Sequence, residues 1–299
     1  MPTAARTQDA MAEAVFTRRP RSFMYDAWRG LLRSRSAIAG GVVLALLILL
    51  AIFAPLLSSY DPTAVALRTR LQPPSGAHLF GTDEFGRDIL TRVFYGARIS
   101  LPVGLIALVI GVSLGTLVGL IAGFYGKVVD AVLMWFVDVM LAFPGLLLAL
   151  LVVAILGVDL RNVMIAVGVS MIPRFARLVR GTVLSAKENL YVDAARAIGV
   201  PERHILVRHV LPNVISPVII LATLSLGVTI LTAAGLSFVG LGAKPPSPEW
   251  GAMIAEGRQF LRHQWWIGTF PGVAILLTVL AVNLIGDGLR DALDPRMRI

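Results

Sequence analysis

With 299 residues, 57% of them hydrophobic and only 15% charged, and a mean hydropathy of +0.79, the chain is too apolar for an ordinary soluble domain. Its net charge of +9 comes from basic residues scattered between apolar runs, a distribution that suits lipid headgroups and membrane topology and not nucleic acid. The absence of cysteine excludes disulfides, thiolate metal sites and thiol catalysis.

Residues 1–36 form a polar leader with seven arginines against Asp9, Glu13 and Asp26, and the short apolar core and cleavage site of a removable signal peptide are missing. Within it, residues 21–36 mix aromatic and basic side chains and read as a helix lying on the membrane surface, whereas 1–20 read equally well as a disordered leader. A helix needs about 20 apolar residues to cross about 30 Å of hydrocarbon. Six segments approach that length, at 37–57, 101–124, 131–156, 163–178, 214–236 and 269–288. The fourth is the weakest: it is short, carries Pro173, and runs into Arg174, Arg177 and Arg180, which would snorkel to the headgroups.

Two longer connections lie on one side. Residues 58–100 hold the turn-rich QPPSGAHLFGTDEFGRD followed by the amphipathic ILTRVFYGARIS, and 242–267 hold PPSPEW and HQWW. Trp250, Trp265 and Trp266 have the amphipathic rings expected at a membrane–water boundary and are read as anchors there. In the second span Gly111, Gly115, Gly119 and Gly123 align on one helix face, so close packing is expected, either within the chain or against a partner.

Asp138 falls inside the third span, where an ionised carboxylate needs compensation, and Arg174 or Arg177 of the next span is the expected partner near an inner gate. One and a half turns on, Pro144 and Gly145 weaken that helix and allow a kink beside the pathway. Asn283 gives the last span a polar group toward a pore or a neighbouring helix. No catalytic residue is identified: Gly126-Lys127 lacks a phosphate-cradling glycine loop, and Gly235-Leu236-Ser237-Phe238-Val239 misses the nucleophile-elbow pattern at its last position. His204 and His209, five apart, do not share a helix face, so no metal site is expected.

Between the fourth and fifth spans the chain turns polar. Glu188, three residues after Ser185, suggests a capping box for a helix to about Ile198; Gly199 suits a left-handed helix end; and Pro201 suits the first turn of a second helix ending before Pro212. With both termini cytoplasmic, 18 of the 27 lysines and arginines fall inside and nine outside, which puts this segment in the cytoplasm.

The spacing of Asp193, Ala194, Ala195, Gly199, His209, Leu211, Pro212 and Asn213 resembles the EAA loop of ABC importer permeases. Asp193 stands where Glu is usual, shortening the reach of the charge, and His209 stands where an aliphatic residue is usual, as in the peptide branch. Three further runs, HLFGTDEFGRDILTRVFYGARIS from His78, GLSFVGLGAKPPSPEWGAMI from Gly235 and GDGLRDALDPR from Gly286, are similar to the C-type subunit of dipeptide and oligopeptide ABC importers. The likeness runs from about Trp28 to Arg296.

The resemblance implies an all-α integral membrane protein with the type I importer permease fold, six spans and both termini inside. Its parts would be a cytoplasmic tail (1–36), a first span (37–57), an extracytoplasmic segment (58–100), a permease core (101–288) containing a coupling loop at 185–213, and a tail (289–299). It also implies a homologous second permease, two cytoplasmic ATPases that use ATP and magnesium, and an extracytoplasmic binding protein, in the bacterial inner membrane. This chain would bind no cofactor. The same architecture serves nickel chelates, glutathione and other small solutes. An ion-coupled secondary transporter, which would show repeated halves and more intramembrane carboxylates, fits less well.

Overall fold

The computed structural model describes residues 30–293, so most of the expected surface helix at 21–36 lies outside the described residues. Every regular element described is helical. Helix α1 spans Arg35–Ile52, capped by Ser34, whose hydroxyl accepts from the Ala37 amide at 3.3 Å; a single turn, α2, follows at Ala54–Leu57. Helix α3 covers Ile89–Tyr125 and therefore begins twelve residues before the expected second span. Asp88 caps it through the Thr91 amide at 2.8 Å, and Gly126, at φ 64°, ends it. The amphipathic stretch after the first connection is thus the first third of one continuous helix.

The expected third span is two helices, α4 (Lys127–Leu141) and α5 (Gly145–Leu156), bent by 95° at the break. Pro144 causes it: the ring removes a donor and forces the preceding residue away from helical geometry. The fourth span is longer than its apolar core, because α6 runs over Leu160–Lys187 with Pro173 buried inside it and the arginines on its lower turns. Helices α7 (Leu190–Ala197) and α8 (Glu202–Ile205) make the polar segment, followed by α9 (Leu211–Phe238), α10 (Trp250–Gly257) and α11 (Trp266–Leu293). The domain limits expected at 100/101 and 288/289 fall inside α3 and α11.

Helix α3 against α6 is the spine. A Cβ on Gly111, Gly115, Gly119 or Gly123 would come within 2.5–3.0 Å of α6, including the carbonyl oxygens of Gly168, Ile172, Ala176 and Arg180. The glycine face therefore packs within the chain, backbone to backbone. Below it, Phe175, Val179, Val183, Ile205, Val210 and Val214 form the core beneath the polar segment. At the opposite end Ile89, Trp250, Trp266 and Ile275 form a second core, while Ala149 and Val153 of α5 pack on Val163 and Val167 of α6 in a third. Of α4, only Val137 is buried.

Trp250 and Trp266 are not boundary anchors. Trp250 is fully buried and donates its indole N–H to the Val93 carbonyl at 3.0 Å; Trp266, nearly buried, donates to the Thr82 carbonyl at 3.1 Å. Of these three tryptophans, Trp265 alone is exposed. Core space and two backbone acceptors outweigh the interface preference that composition suggests.

Candidate functional site

The polar segment is built by a helix end, a tight turn and a wide turn. Ser185 and Glu188 form no capping box, because α6 continues through Lys187 and Asn189 occupies the N-cap position of α7. Helix α7 ends in a Schellman motif: the Gly199 amide donates to the Arg196 carbonyl at 2.9 Å and the Val200 amide to the Ala195 carbonyl at 3.1 Å. Gly199 has φ +79°, and no atom lies near enough to touch an added Cβ. The glycine is there for backbone conformation alone.

The second helix does not stop before Pro212. Residues Leu206–Val210 form a π turn, with the Leu211 amide reaching back to the Leu206 carbonyl, and Pro212 sits in the first turn of α9. Widening the helix by one residue accommodates a ring that lacks a donor. Residues Glu202–Phe238 thus form one 37-residue helix, about 55 Å long.

Val192 and Ala195 turn inward onto Ile205 and Val210. Leu190 is 86% exposed and Ile198 81%; Tyr191, Asp193, Ala194 and Val207 are exposed as well. Leu190 and Ile198 thus leave an uncovered aliphatic patch on a polar segment, while Ile205 of the same segment is fully buried. Asp193 and Glu202 both pair with Arg196, at 3.6 and 3.2 Å. Asn213 donates to the Tyr191 hydroxyl at 3.0 Å and the His209 carbonyl at 2.7 Å, tying α9 to α7. His209 and Leu211 are half-buried and Pro212 is exposed.

Above this segment α4 meets α6 through charge. Arg177 donates to Asp138 at 2.8 Å, whereas Arg174 is exposed and takes no part in that contact. Both members of the pair are more than half exposed on the surface of this chain. A tighter contact was not foreseen: Arg180 holds both oxygens of Asp130, at 2.5 and 2.7 Å. Lys187 caps the end of α3, donating to the Phe124 carbonyl at 2.6 Å. Pro144 is exposed at the elbow, and the Asn283 side-chain oxygen lies against Gly227 of α9, a contact between helices of this chain. No cluster of metal-ligating side chains occurs among the described residues.

At the other end a buried charge network braces the loop before α3. Arg87 donates to Asp83 at 2.6 Å and to Glu256 at 2.9 Å, and Arg92 donates to Glu256 at 3.0 Å. Asp83 also accepts the Phe85 and Arg87 amides, and Asp88, the cap of α3, meets His78 at 3.0 Å. Burial raises the Glu84 carboxyl above its ordinary range beside this network, with Asp83 and Glu256 adding repulsion. Glu249 caps α10 through the Gly251 and Ala252 amides at 3.0 and 2.9 Å and accepts from the Ser100 hydroxyl at 3.2 Å; burial raises its carboxyl too. The i,i+4 spacing of Asp83 and Arg87 was a visible signal. Glu256, 169 residues away from Arg87, gave none.

Residues 115–299 match the family described as the binding-protein-dependent transport system inner membrane component, and residues 22–74 match the N-terminal TM domain of oligopeptide transport permease C. The chain is 49% identical over 273 residues to a dipeptide transport system permease protein of Alkalihalophilus pseudofirmus, covering 91% of this chain and 90% of that one. It is 47% identical over 274 residues to a glutathione transport system permease protein of Pectobacterium atrosepticum, 91% of each. It is 45% identical over 259 residues to a probable D,D-dipeptide transport system permease protein of Escherichia coli, 87% of each. The chain belongs to the family of inner-membrane components of binding-protein-dependent transport systems: it is a C-type permease subunit of an ABC importer, a multi-pass protein of the bacterial inner membrane that works with ATPase and binding-protein partners.

Proposed function

We propose that this permease imports dipeptides or short oligopeptides, with both termini and the 185–213 segment in the cytoplasm. A homologous second permease completes the pore. Two ATPases, which use the ATP and magnesium, receive the exposed face of α7, and a binding protein delivers peptide to the opposite end. Closure of the ATPase pair moves the docked segment and switches the pore between inward- and outward-facing states. This chain supplies no nucleotide site of its own.

One observation carries the coupling role. Leu190 and Ile198 are uncovered on α7, one tight turn before the 37-residue membrane-crossing helix on which Val207 is also uncovered, so force applied there passes through the Gly199 turn and then along helical backbone to the far side. The peptide assignment is supported by relatives that carry dipeptide names. The relative named for glutathione favours a second reading within the same chemistry, because glutathione is itself a tripeptide.

Two measurements test these statements. The chain has no native cysteine, so a single cysteine at Ile198 reports one contact. It should crosslink to the ATPase in a nucleotide-dependent way, and labelling from the external medium would refute the topology. The complete complex, reconstituted with its binding protein, should take up tri-alanine faster than a nickel chelate.

A further inference from the structure

Between the lower half of α6 and the start of α9 lies an open-sided cavity of about 630 Å³, lined by Arg177, Gly181, Thr182, Ser185, Asn189 and Asn213 among others. That volume lies within the range of small-ligand pockets, about 300–1,000 Å³. No carboxylate lines it. Arg177, Gly181 and Ser185 recur every four residues along α6, rising about 12 Å, and Asn189, the N-cap of α7, continues the lining just past the end of that helix.

Gly181 distinguishes this face from the spine. Each glycine of the α3 stripe is required because a Cβ would strike α6, but at Gly181 an added Cβ meets nothing within 4 Å. Glycine in a helix interior costs about 1 kcal/mol against alanine, and no packing within the chain requires it here. What it leaves is a bare strip of backbone on the cavity floor, where an extended chain can lie close.

The polar groups complete the chemistry. Thr182 donates to the Leu178 carbonyl, while the amide nitrogens of Asn189 and Asn213 donate to neighbouring backbone and to Tyr191. Those donors are thus engaged within the chain, leaving side-chain oxygens to accept N–H groups from a ligand. Arg177 uses one nitrogen on Asp138 in a pair exposed on both sides, so a competing carboxylate can reach it. Its other N–H groups suit a second, bidentate carboxylate.

We propose that this trough is an inner peptide-binding site, in which Arg177 takes the substrate's terminal carboxylate and the oxygens of Asn189 and Asn213 take its N–H groups nearer the cytoplasm. The inference rests on the peptide reading above and adds the residues that hold the substrate on its way out. An extended tripeptide, about 10 Å long, fits between Arg177 and Asn189 with room to slide. Asp138 competes with the substrate for Arg177, so the site holds peptide weakly enough to release it.

The test uses the complete nucleotide-free complex without its binding protein, and equilibrium binding of radiolabelled tri-alanine against tri-alanine amide. The wild-type complex should bind tri-alanine saturably and the amide about tenfold more weakly. Arg177→Gln should weaken tri-alanine binding about tenfold and leave amide binding as it was. Arg177→Lys should recover part of the loss, and Gly181→Leu, which has space within the chain and fills the trough, should weaken both ligands. Equal binding of acid and amide by the wild type, absence of binding, or variants that match the wild type would each overturn the assignment. If the wild-type complex imports tri-alanine with its binding protein and ATP yet fails these comparisons, the site alone is wrong; if it imports no peptide, the substrate reading falls first and the site falls with it.

Discussion

Gly115→Ala and Gly181→Ala make the same chemical change on two helices that pack together, and they should act in opposite directions. At Gly115 the new Cβ would sit 2.6 Å from the Phe175 Cβ and 2.7 Å from the Ile172 carbonyl oxygen. Contact near 3.5 Å is optimal, so the helices must part by about 1 Å, and no side-chain rotation can relieve a clash with a backbone oxygen. A gap of that size forfeits roughly a quarter to a half of each neighbouring contact, which places the cost with other overpacked sites at about 1–3 kcal/mol. At Gly181 nothing is struck, and alanine gains up to about 1 kcal/mol of helix propensity. That gain is common to both substitutions, so the difference between them isolates packing and should exceed about 1 kcal/mol. SDS titration of the purified permease pair in mixed micelles, followed by tryptophan fluorescence, measures it. Equal midpoints for the two variants would refute the claim that the α3 glycines are required by α6.

Gly199→Val places a β-branched residue at φ +79°, a strain of roughly 1–2 kcal/mol, and should lower peptide uptake per ATP hydrolysed while the chain remains in the membrane; wild-type coupling would refute this. Asp138→Asn removes a pair exposed on both sides, so stability should change by less than about 1 kcal/mol, and an unchanged coupled ATPase rate would dismiss a gating role for the pair. Glu256→Ala strips Arg87 and Arg92 of a shared partner in a buried site and should cost about 3–5 kcal/mol, read as lost assembly or a lowered melting temperature. Burial raises the folded-state values of Glu84 and Glu249 above the ordinary glutamate value of 4.5, so the folded chain holds their protons more tightly than the unfolded chain. Their contribution to stability therefore falls as pH rises from 4.5 through the raised values. Glu84→Gln should flatten that part of a melting-temperature profile against pH, and an unaltered profile would count against it.

The spans were legible because lipid demands long apolar runs, and Gly111 through Gly123 because glycine at every fourth position has few other uses in such a helix. Gly199 was legible as a left-handed helix end and Pro144 as a kink. Less legible was how far helices extend beyond their apolar cores. The first turns of α3, from Ile89 to Ser100, pack into a core within the chain, so hydropathy does not mark them as a span. Pro212 misled because a proline that ends an α-helix can also sit just after a π turn, and the choice depends on Val210 and Val214 being buried in a core that no local pattern reveals. Trp250 and Trp266 misled for a related reason: their acceptors, the carbonyls of Val93 and Thr82, lie 157 and 184 residues away.

The distribution of stiffness limits how a push on α7 can be used. Helices α3 and α6 are locked along the glycine spine, where sliding would drive side chains into carbonyl oxygens. At the far end, Asp83, Arg87, Arg92 and Glu256 hold the loop before α3 to α10 in a buried network that tolerates few geometries. The α4–α5 elbow is different. Helix α4 buries one residue, Val137, and is otherwise held to α6 by two ion pairs, Asp130–Arg180 and Asp138–Arg177, which lie on either side of it in sequence. The Asp138–Arg177 pair, more than half exposed, re-forms at small cost after a shift, whereas interdigitated backbones do not. Under the proposed coupling, motion entering through Ile198 and Val207 would be resisted by the spine and by the charge network before α3 and taken up at the elbow. Its first bend is at the π turn, where the helix carrying the push is already widened next to Pro212.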